Sequence, residues 1–167
     1  MIEKRIEKRI EKRIVQRGLY FDEFELGVTY VHSPSRTVTE TDNVLFTTLT
    51  MNTQSLHLDA EWARTTEFGE RLVNSMFTLS TLVGTSVAQL TQGTIVANLS
   101  IDNARFPHPM RHGDTMTSES VVTAKRGSAS RPGQGIVTFE HTARNQRGEV
   151  VAVATRTVLM LCTPDGD

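Results

Sequence analysis

The stretch Leu49–Met76 reads LTMNTQSLHLDAEWARTTEFGERLVNSM and carries most of the polar chemistry of the chain. A polar turn leads into His57, and a short helical segment, Phe68-Gly69 and a long apolar helix follow it. A histidine exchanges protons near neutral pH. The first amides of a helix are unpaired donors at the positive end of its dipole. A base together with such a helix start is the pair needed to form and hold an enolate.

Two short helices are predicted on either side of the polar turn. Thr39 and Asp42 have the spacing of a capping box, which predicts a helix from about Glu40 to Met51. Asp59 is the predicted N-cap of a second helix over residues 59–64. His57 therefore lies between two predicted helices.

The longest helix is predicted from Ser75 to about Leu90. Apolar residues recur there at three- and four-residue spacing, which places on one face Met76, Leu79, Val83, Val87 and Leu90. Phe77 and Leu82 widen this face, so we expect the helix to be mostly buried. Gly84 costs about 1 kcal/mol against alanine inside a helix, and we expect the close approach of a strand to explain it.

Segments rich in β-branched residues surround the helices. One precedes them, over Val28–Val38, and four follow them, over Thr94–Phe106, Thr115–Lys125, Gly135–Arg144 and Val150–Leu161. Turns rich in proline, glycine and asparagine separate the last four. One strand, then helices, then four strands predict an α+β fold, in which an antiparallel sheet of about five strands wraps around the long central helix.

Length and composition restrict the class of protein. The chain has 167 residues, enough for one domain with a single core, and its formal net charge of −1 predicts no general attraction to nucleic acid or to an anionic membrane. The single Cys162 cannot form an internal disulfide, which fits a reducing compartment. No apolar run approaches the ~20 residues that span a bilayer, and a signal peptide is not evident. We expect a soluble, cytoplasmic protein.

The N-terminus has a different character from the rest of the chain. Residues 2–13 repeat IEKR three times, and residues 1–17 carry seven Lys/Arg against three Glu. An isoleucine at every fourth position forms a drifting stripe on a helix, which is one basis for binding a partner or a membrane surface. We favour the alternative, a dispensable extension, because one isoleucine per turn is a thin apolar surface. The predicted division is an extension over 1–17, a domain over 18–163 and a tail over 164–167.

Several motifs together resemble one family. The segment Met51–His57, MNTQSLH, is similar to the hydratase motif G-D-x-N-P-[LIV]-H, and Phe68-Gly69 and Asn74-Ser75-Met76 follow where that family has Phe-Gly and H-G-M. From about Gly18 to Leu161 the chain resembles the MaoC-type dehydratases of the hotdog fold, which include (R)-specific enoyl-CoA hydratases. The combination M-N-x-Q-x-L-H-L-D with V-N-S-M looks most like the branch of the mesaconyl-CoA hydratases (β-methylmalyl-CoA dehydratases).

The resemblance implies catalytic roles for three residues. His57 is the general base and acid, and the backbone N–H of Ser75 binds the thioester oxygen, a role that needs an amide rather than a particular side chain. Asn52 stands where the motif has aspartate, and its amide positions water through a donor and an acceptor. The alternative for Asn52 is a helix cap in the left-handed conformation. Asp59 is the nearest alternative carboxylate.

Further residues are assigned to binding of the acyl-CoA substrate: Gln54, Phe68, Gly69, Asn74, Arg126 and Arg131. For Asn74 the alternative is an N-cap. The arginines suit CoA phosphates, and the alternative is a solvated cluster at a strand end. His108 and His112 lie four residues apart, but Pro109 opposes a helix between them and a third ligand is not evident, so we expect no metal site.

The resemblance implies an enzyme that reversibly hydrates or dehydrates a short acyl-CoA thioester, branched and dicarboxylic acyl groups included. Coenzyme A enters as part of the substrate, and no other cofactor is implied. Two alternatives remain open, an acyl-CoA thioesterase of the hotdog fold and a non-catalytic acyl-CoA-binding module. A hotdog sheet of this length has an open edge, so we expect a homodimer or a larger assembly of dimers.

Overall fold

The computed structural model describes residues 14–164, which form four α-helices, a short 3₁₀ helix at Phe21–Glu23 and five strands. The helices are α1 Glu40–Leu49, α2 Ser55–Leu58, α3 Ala60–Arg64 and α4 Ser75–Leu90, and the strands are β1 Thr29–Thr37, β2 Ile95–Arg105, β3 Thr115–Gly127, β4 Gln134–Arg144 and β5 Val150–Leu161. The IEKR repeat and most of the predicted tail lie outside the described residues. Within residues 14–164, no helix combines the length and the apolar composition that crossing a membrane requires.

The strands form one antiparallel sheet in the order β1-β3-β4-β5-β2. β5 lies between β4 and β2 and pairs with both, so β1 and β2 are the two edges. α4 packs across the sheet against β1, β3, β4 and β5. The predicted α+β fold, a five-stranded antiparallel sheet with a long central helix, is confirmed.

The caps of the short helices are those predicted. The Thr39 hydroxyl accepts from the Asp42 backbone N–H at 3.2 Å, and the Asp42 carboxylate accepts from the Thr39 backbone N–H at 2.9 Å. The Asp59 carboxylate accepts from the backbone N–H of Trp62 at 2.9 Å. Each cap pairs helix-terminal amides that the helix itself leaves without partners.

The buried face of α4 differs from the predicted one. Met76 is 46% exposed, whereas the buried residues are Phe77, Thr78, Leu82, Ser86 and Leu90. The pattern of apolar residues missed two hydroxyl side chains, because each bonds to a carbonyl of its own helix and so is buried at little cost. Thr78 donates to the Asn74 carbonyl at 3.4 Å and Ser86 to the Val83 carbonyl at 2.7 Å.

The prediction for Gly84 is also wrong. A Cβ added at Gly84 would meet no atom within 4 Å, so no strand approaches it closely. Gly84 instead lines an open cavity of about 540 Å³ between the outer face of α4 and the β1 segment around Pro34. The lack of a side chain at Gly84 therefore leaves space in this cavity and does not serve contact with a strand.

Two apolar clusters fill the space between α4 and the sheet. The one beneath the start of α4 includes Val73, Phe77, Met110, Met116 and Val151. The one beneath its end includes Phe24, Leu90, Val122, Phe139 and Met160. The first cluster fixes the start of α4 at the end of the sheet where β3 and β5 begin.

The segment before β1 closes the other end of α4. The backbone N–H of Gly18 donates to the Gln92 carbonyl at 2.7 Å, and that of Leu19 donates to the Leu90 carbonyl at 3.0 Å. A Cβ on Gly18 would lie 2.4 Å from the Thr91 backbone nitrogen, closer than any real contact. Glycine is therefore required where the chain first packs against the end of α4.

Candidate active site

His57 lies in the single turn of α2 and is half-buried. Its Nδ1 is 2.9 Å from the backbone carbonyl oxygen of Leu72. A carbonyl only accepts hydrogen bonds, so this contact assigns the proton of the neutral ring to Nδ1. The Nε2 atom then has a free lone pair, which is the form that a general base requires.

His57 and Ser75 line the same cavity, which has a volume of about 160 Å³. Its walls are mostly apolar and include Leu72, Val73, Phe106, Met110 and Val151. Thr78 and His108 are its other polar side chains. Two of the three predicted catalytic residues are thus brought together, in a space where apolar walls strengthen electrostatic interactions.

The start of α4 is held by Asn74. The Asn74 side-chain oxygen accepts from the backbone N–H of Met76 at 2.9 Å, which confirms the alternative interpretation of Asn74 as the N-cap. Ser75 is the first residue of the helix, and within residues 14–164 no acceptor pairs with its backbone N–H. This amide is a free donor at the positive end of the helix dipole, beside the cavity.

Asn43 is a site residue that the sequence did not reveal. It is fully buried in α1, donates from Nδ2 to the His57 carbonyl at 3.0 Å, and accepts at Oδ1 from the Asn74 backbone N–H at 2.8 Å. The one available signal was the polar pair Asn43 and Thr47 at helical spacing. That pair proves to be the buried part of α1.

Asn52 does not line the 160 Å³ cavity. Its side-chain oxygen accepts from the Gln54 backbone N–H at 3.0 Å, and its own backbone N–H donates to the Thr47 carbonyl at 3.0 Å. The left-handed residue that ends α1 is Met51, with φ of 56°, so the alternative interpretation of Asn52 as a left-handed cap is wrong by one residue. The side chain of Asn52 orders the turn that leads into α2.

A second, polar cavity of about 200 Å³ lies between the segment that precedes Leu72 in the chain and His112. Gly69, predicted to bind substrate, lies here with Arg64, Arg71 and His112. Burial, and then the charge of Arg71, lower the pKa of His112. Within residues 14–164, no cluster of three or more His, Cys, Asp or Glu side chains is arranged to hold a metal ion.

The remaining predicted binding residues are dispersed. Gln54 is exposed, Phe68 is half-buried, and neither lines the cavity of His57. Arg126 and Arg131 lie at the turn between β3 and β4. The strand β3 rises about 3.3 Å per residue, so this turn is roughly 35 Å from the His57 end of the sheet. One chain by itself does not bring these arginines to His57.

A five-stranded antiparallel sheet wrapped on one central helix defines this protein as a hotdog domain. Residues 23–145 match the MaoC like domain family, and the chain belongs to that family, as its motifs predicted. An (R)-specific enoyl-CoA hydratase of Rhodospirillum rubrum is 31% identical over 144 residues, which cover 84% of this chain and 91% of that protein.

Other relatives are longer than this chain. A β-methylmalyl-CoA dehydratase of Chloroflexus aurantiacus is 30% identical over 144 residues, which cover 86% of this chain and 40% of that protein. The solved structure of a putative MaoC domain protein dehydratase from Chloroflexus aurantiacus superposes with a TM-score of 0.85 at 27% identity, and covers 93% of this chain and 44% of that one. The chain thus spans less than half the length of these two proteins.

Proposed function

We propose that this domain catalyses the reversible addition of water to a short 2-enoyl-CoA thioester. The observation that carries the proposal is the cavity shared by His57 and the start of α4. The bond from Nδ1 to Leu72 leaves Nε2 of His57 as a base, and the free Ser75 amide is a donor for the thioester oxygen. A hydratase of similar length, 31% identical, supports the same reaction class.

In the proposed reaction, His57 acts in both steps. Nε2 takes a proton from water as the water oxygen bonds to C3, and the electron pair of the C2–C3 double bond moves onto C2 and the thioester oxygen. The Ser75 amide donates to that oxygen while it carries negative charge. The His57 proton then passes to C2. One base serving both atoms adds hydrogen and hydroxyl to the same face, and dehydration follows the same path in reverse.

The acyl group is proposed to be short, and its class to include dicarboxylic chains. A cavity of about 160 Å³ is small beside the 300–1,000 Å³ of typical ligand sites, which favours few carbon atoms. Asn52 lies outside the cavity, in the turn that leads into the His57 helix, and an aspartate there would add a negative charge that disfavours a substrate carboxylate. Asn52 removes that charge. Relatives named mesaconyl-CoA hydratase, at 28% identity, support this substrate class.

The proposed assembly is a homodimer formed by the two β2 edges. β2 is a long edge strand, and it exposes Val96, Leu99 and Ile101. An edge of this kind pairs readily with a second copy. A twofold axis between antiparallel β2 strands places the far end of one sheet alongside the His57 end of the other. Arg126 and Arg131 of a second copy are then available to bind CoA phosphates.

The test uses crotonyl-CoA and mesaconyl-CoA, with enoyl absorbance and free thiol followed in parallel. We expect loss of enoyl absorbance without thiol release. The His57→Ala variant should lose at least ~10²-fold in kcat, the low end for removal of a general acid–base. Thiol release would indicate a thioesterase instead. Binding of the thioester with neither signal would indicate a non-catalytic binding module.

A further inference from the structure

The helix α1 has an inverted burial pattern. Its buried residues are Asn43 and Thr47, both 0% exposed, while Leu45 is 57% and Leu49 is 74% exposed. Burial of a polar side chain costs free energy unless its hydrogen bonds are fully paired, and an apolar residue would pack there more simply. A helix that buries amide and hydroxyl groups in preference to leucine points to a requirement beyond folding.

The side-chain amide of Asn43 forms hydrogen bonds through both its nitrogen and its oxygen. Nδ2 donates to the His57 carbonyl at 3.0 Å, and Oδ1 accepts from the Asn74 backbone N–H at 2.8 Å. Because the one partner is a carbonyl and the other an N–H, a single orientation of the amide satisfies both. The side chain also accepts from the Thr47 hydroxyl at 3.4 Å. Both polar atoms of the Asn43 side chain are therefore hydrogen-bonded, and its orientation is fixed.

These two bonds join the halves of the proposed site. His57 provides the base, and Asn74 is bonded directly to Ser75, whose amide is the proposed oxyanion donor. Sixteen residues of chain lie between His57 and Asn74, whereas one planar amide connects them in space. The base and the donor must keep their separation to a fraction of an ångström for the reaction to be fast.

We propose that Asn43 is a positioning residue, which holds the His57 segment and the first turn of α4 at the separation that the reaction needs. The proposal rests on the proposed function. Asn43 is fully buried and does not line the cavity, so it acts through His57 and the Ser75 amide and does not contact substrate. Its loss changes the geometry of the reacting groups and leaves the binding surface in place.

The test compares Asn43→Leu with the matched control Thr47→Val. Thr47 lies one turn further along α1, is equally buried and bonds to the Asn43 and Asn74 side chains, but its hydroxyl forms no hydrogen bond with His57 or with the backbone of α4 in the described residues. We expect Asn43→Leu to lower kcat by about 10- to 100-fold, the scale of an ångström misplacement, with KM within about twofold. Thr47→Val should change kcat by less than about twofold, even where both variants lower the melting temperature.

A second readout is independent of activity. Nitrogen NMR of the His57 ring should report the Nδ1–H form in the wild type and in Thr47→Val, and a mixture of the two neutral forms in Asn43→Leu. If Asn43→Leu does not fold, Asn43→Ser replaces it, since its shorter side chain cannot reach both partners but leaves room for water. An unchanged kcat with an unchanged ring form would overturn the proposal. A wild type with no hydratase activity but with the expected ring change would defeat the proposed function and leave the positioning role standing.

Discussion

Substitution of Ser75 by proline removes one backbone N–H donor from the site and changes little else in the structure. Ser75 is the first residue of α4, where proline is well accommodated because the position has no helical partner for its N–H. Asn74 before it has φ of −58° and ψ of 125°, the extended conformation that a following proline favours. The bonds from Asn74 to Asn43 and Met76 do not involve Ser75. Ser75→Pro should therefore keep the fold and delete the amide.

The expected loss follows from the role assigned to this amide. Removal of one oxyanion donor costs about 2.7–4 kcal/mol in the barrier, or roughly 10²- to 10³-fold in kcat. Ser75→Ala is the control, because it also removes the hydroxyl but keeps the N–H, and its kcat should stay within a few-fold of the wild type. The assay is hydration of crotonyl-CoA and mesaconyl-CoA at saturating substrate, with circular dichroism and melting temperature to verify the fold. Equal activities of a folded Ser75→Pro and Ser75→Ala would refute the oxyanion role.

Three further outcomes are expected. Asn52→Asp should shift kcat/KM from mesaconyl-CoA toward crotonyl-CoA because it adds a negative charge to the turn before His57, and a wild type that already prefers crotonyl-CoA would contradict this. Arg131→Ala should raise KM with kcat little changed, as for loss of uniform binding, and an unchanged KM removes Arg131 from the site. Burial lowers the pKa of His141 to about 3 in the folded protein. Between pH 6.5 and 3 the ring is therefore protonated in the unfolded chain but not in the folded one, and the free energy of unfolding falls by about 1.4 kcal/mol for each pH unit. In urea titrations, the free energy of unfolding should fall less between pH 7 and pH 5 for His141→Gln than for the wild type. Equal falls would refute the role of His141.

The sequence was most informative where local rules decide the structure. The caps at Thr39, Asp59 and Asn74 depend on residues within three positions of each other, and all three are present. The extent of α4 follows from its repeated apolar spacing and that of β5 from its run of β-branched residues, and a single substitution disturbs neither pattern. His57 was predicted as the base because the motif that the chain resembles specifies a histidine at that position.

The remaining features depend on contacts between distant parts of the chain. Asn43 looks like an exposed polar residue of α1 until the His57 and Asn74 segments are placed against it. The buried Thr78 and Ser86 have no signature in a pattern of apolar residues. Arg126 and Arg131 resemble a phosphate site in sequence, but only the strand order and the length of β3 reveal how far they lie from His57. These contacts and distances arise only when the segments pack together, so no single segment of the sequence predicts them.

The place of β5 in the sheet has a consequence for how the domain is made. β5 is the last strand of the domain to be synthesised, yet it lies between β4 and β2. Until Val150–Leu161 has left the ribosome, β2 has no neighbour and β4 has an open side. At about 5–20 residues per second, the earlier strands wait several seconds with unpaired edges. Closure of the sheet therefore has to wait until β5 has emerged, and a chain that stops before Val150 should aggregate instead of folding in part.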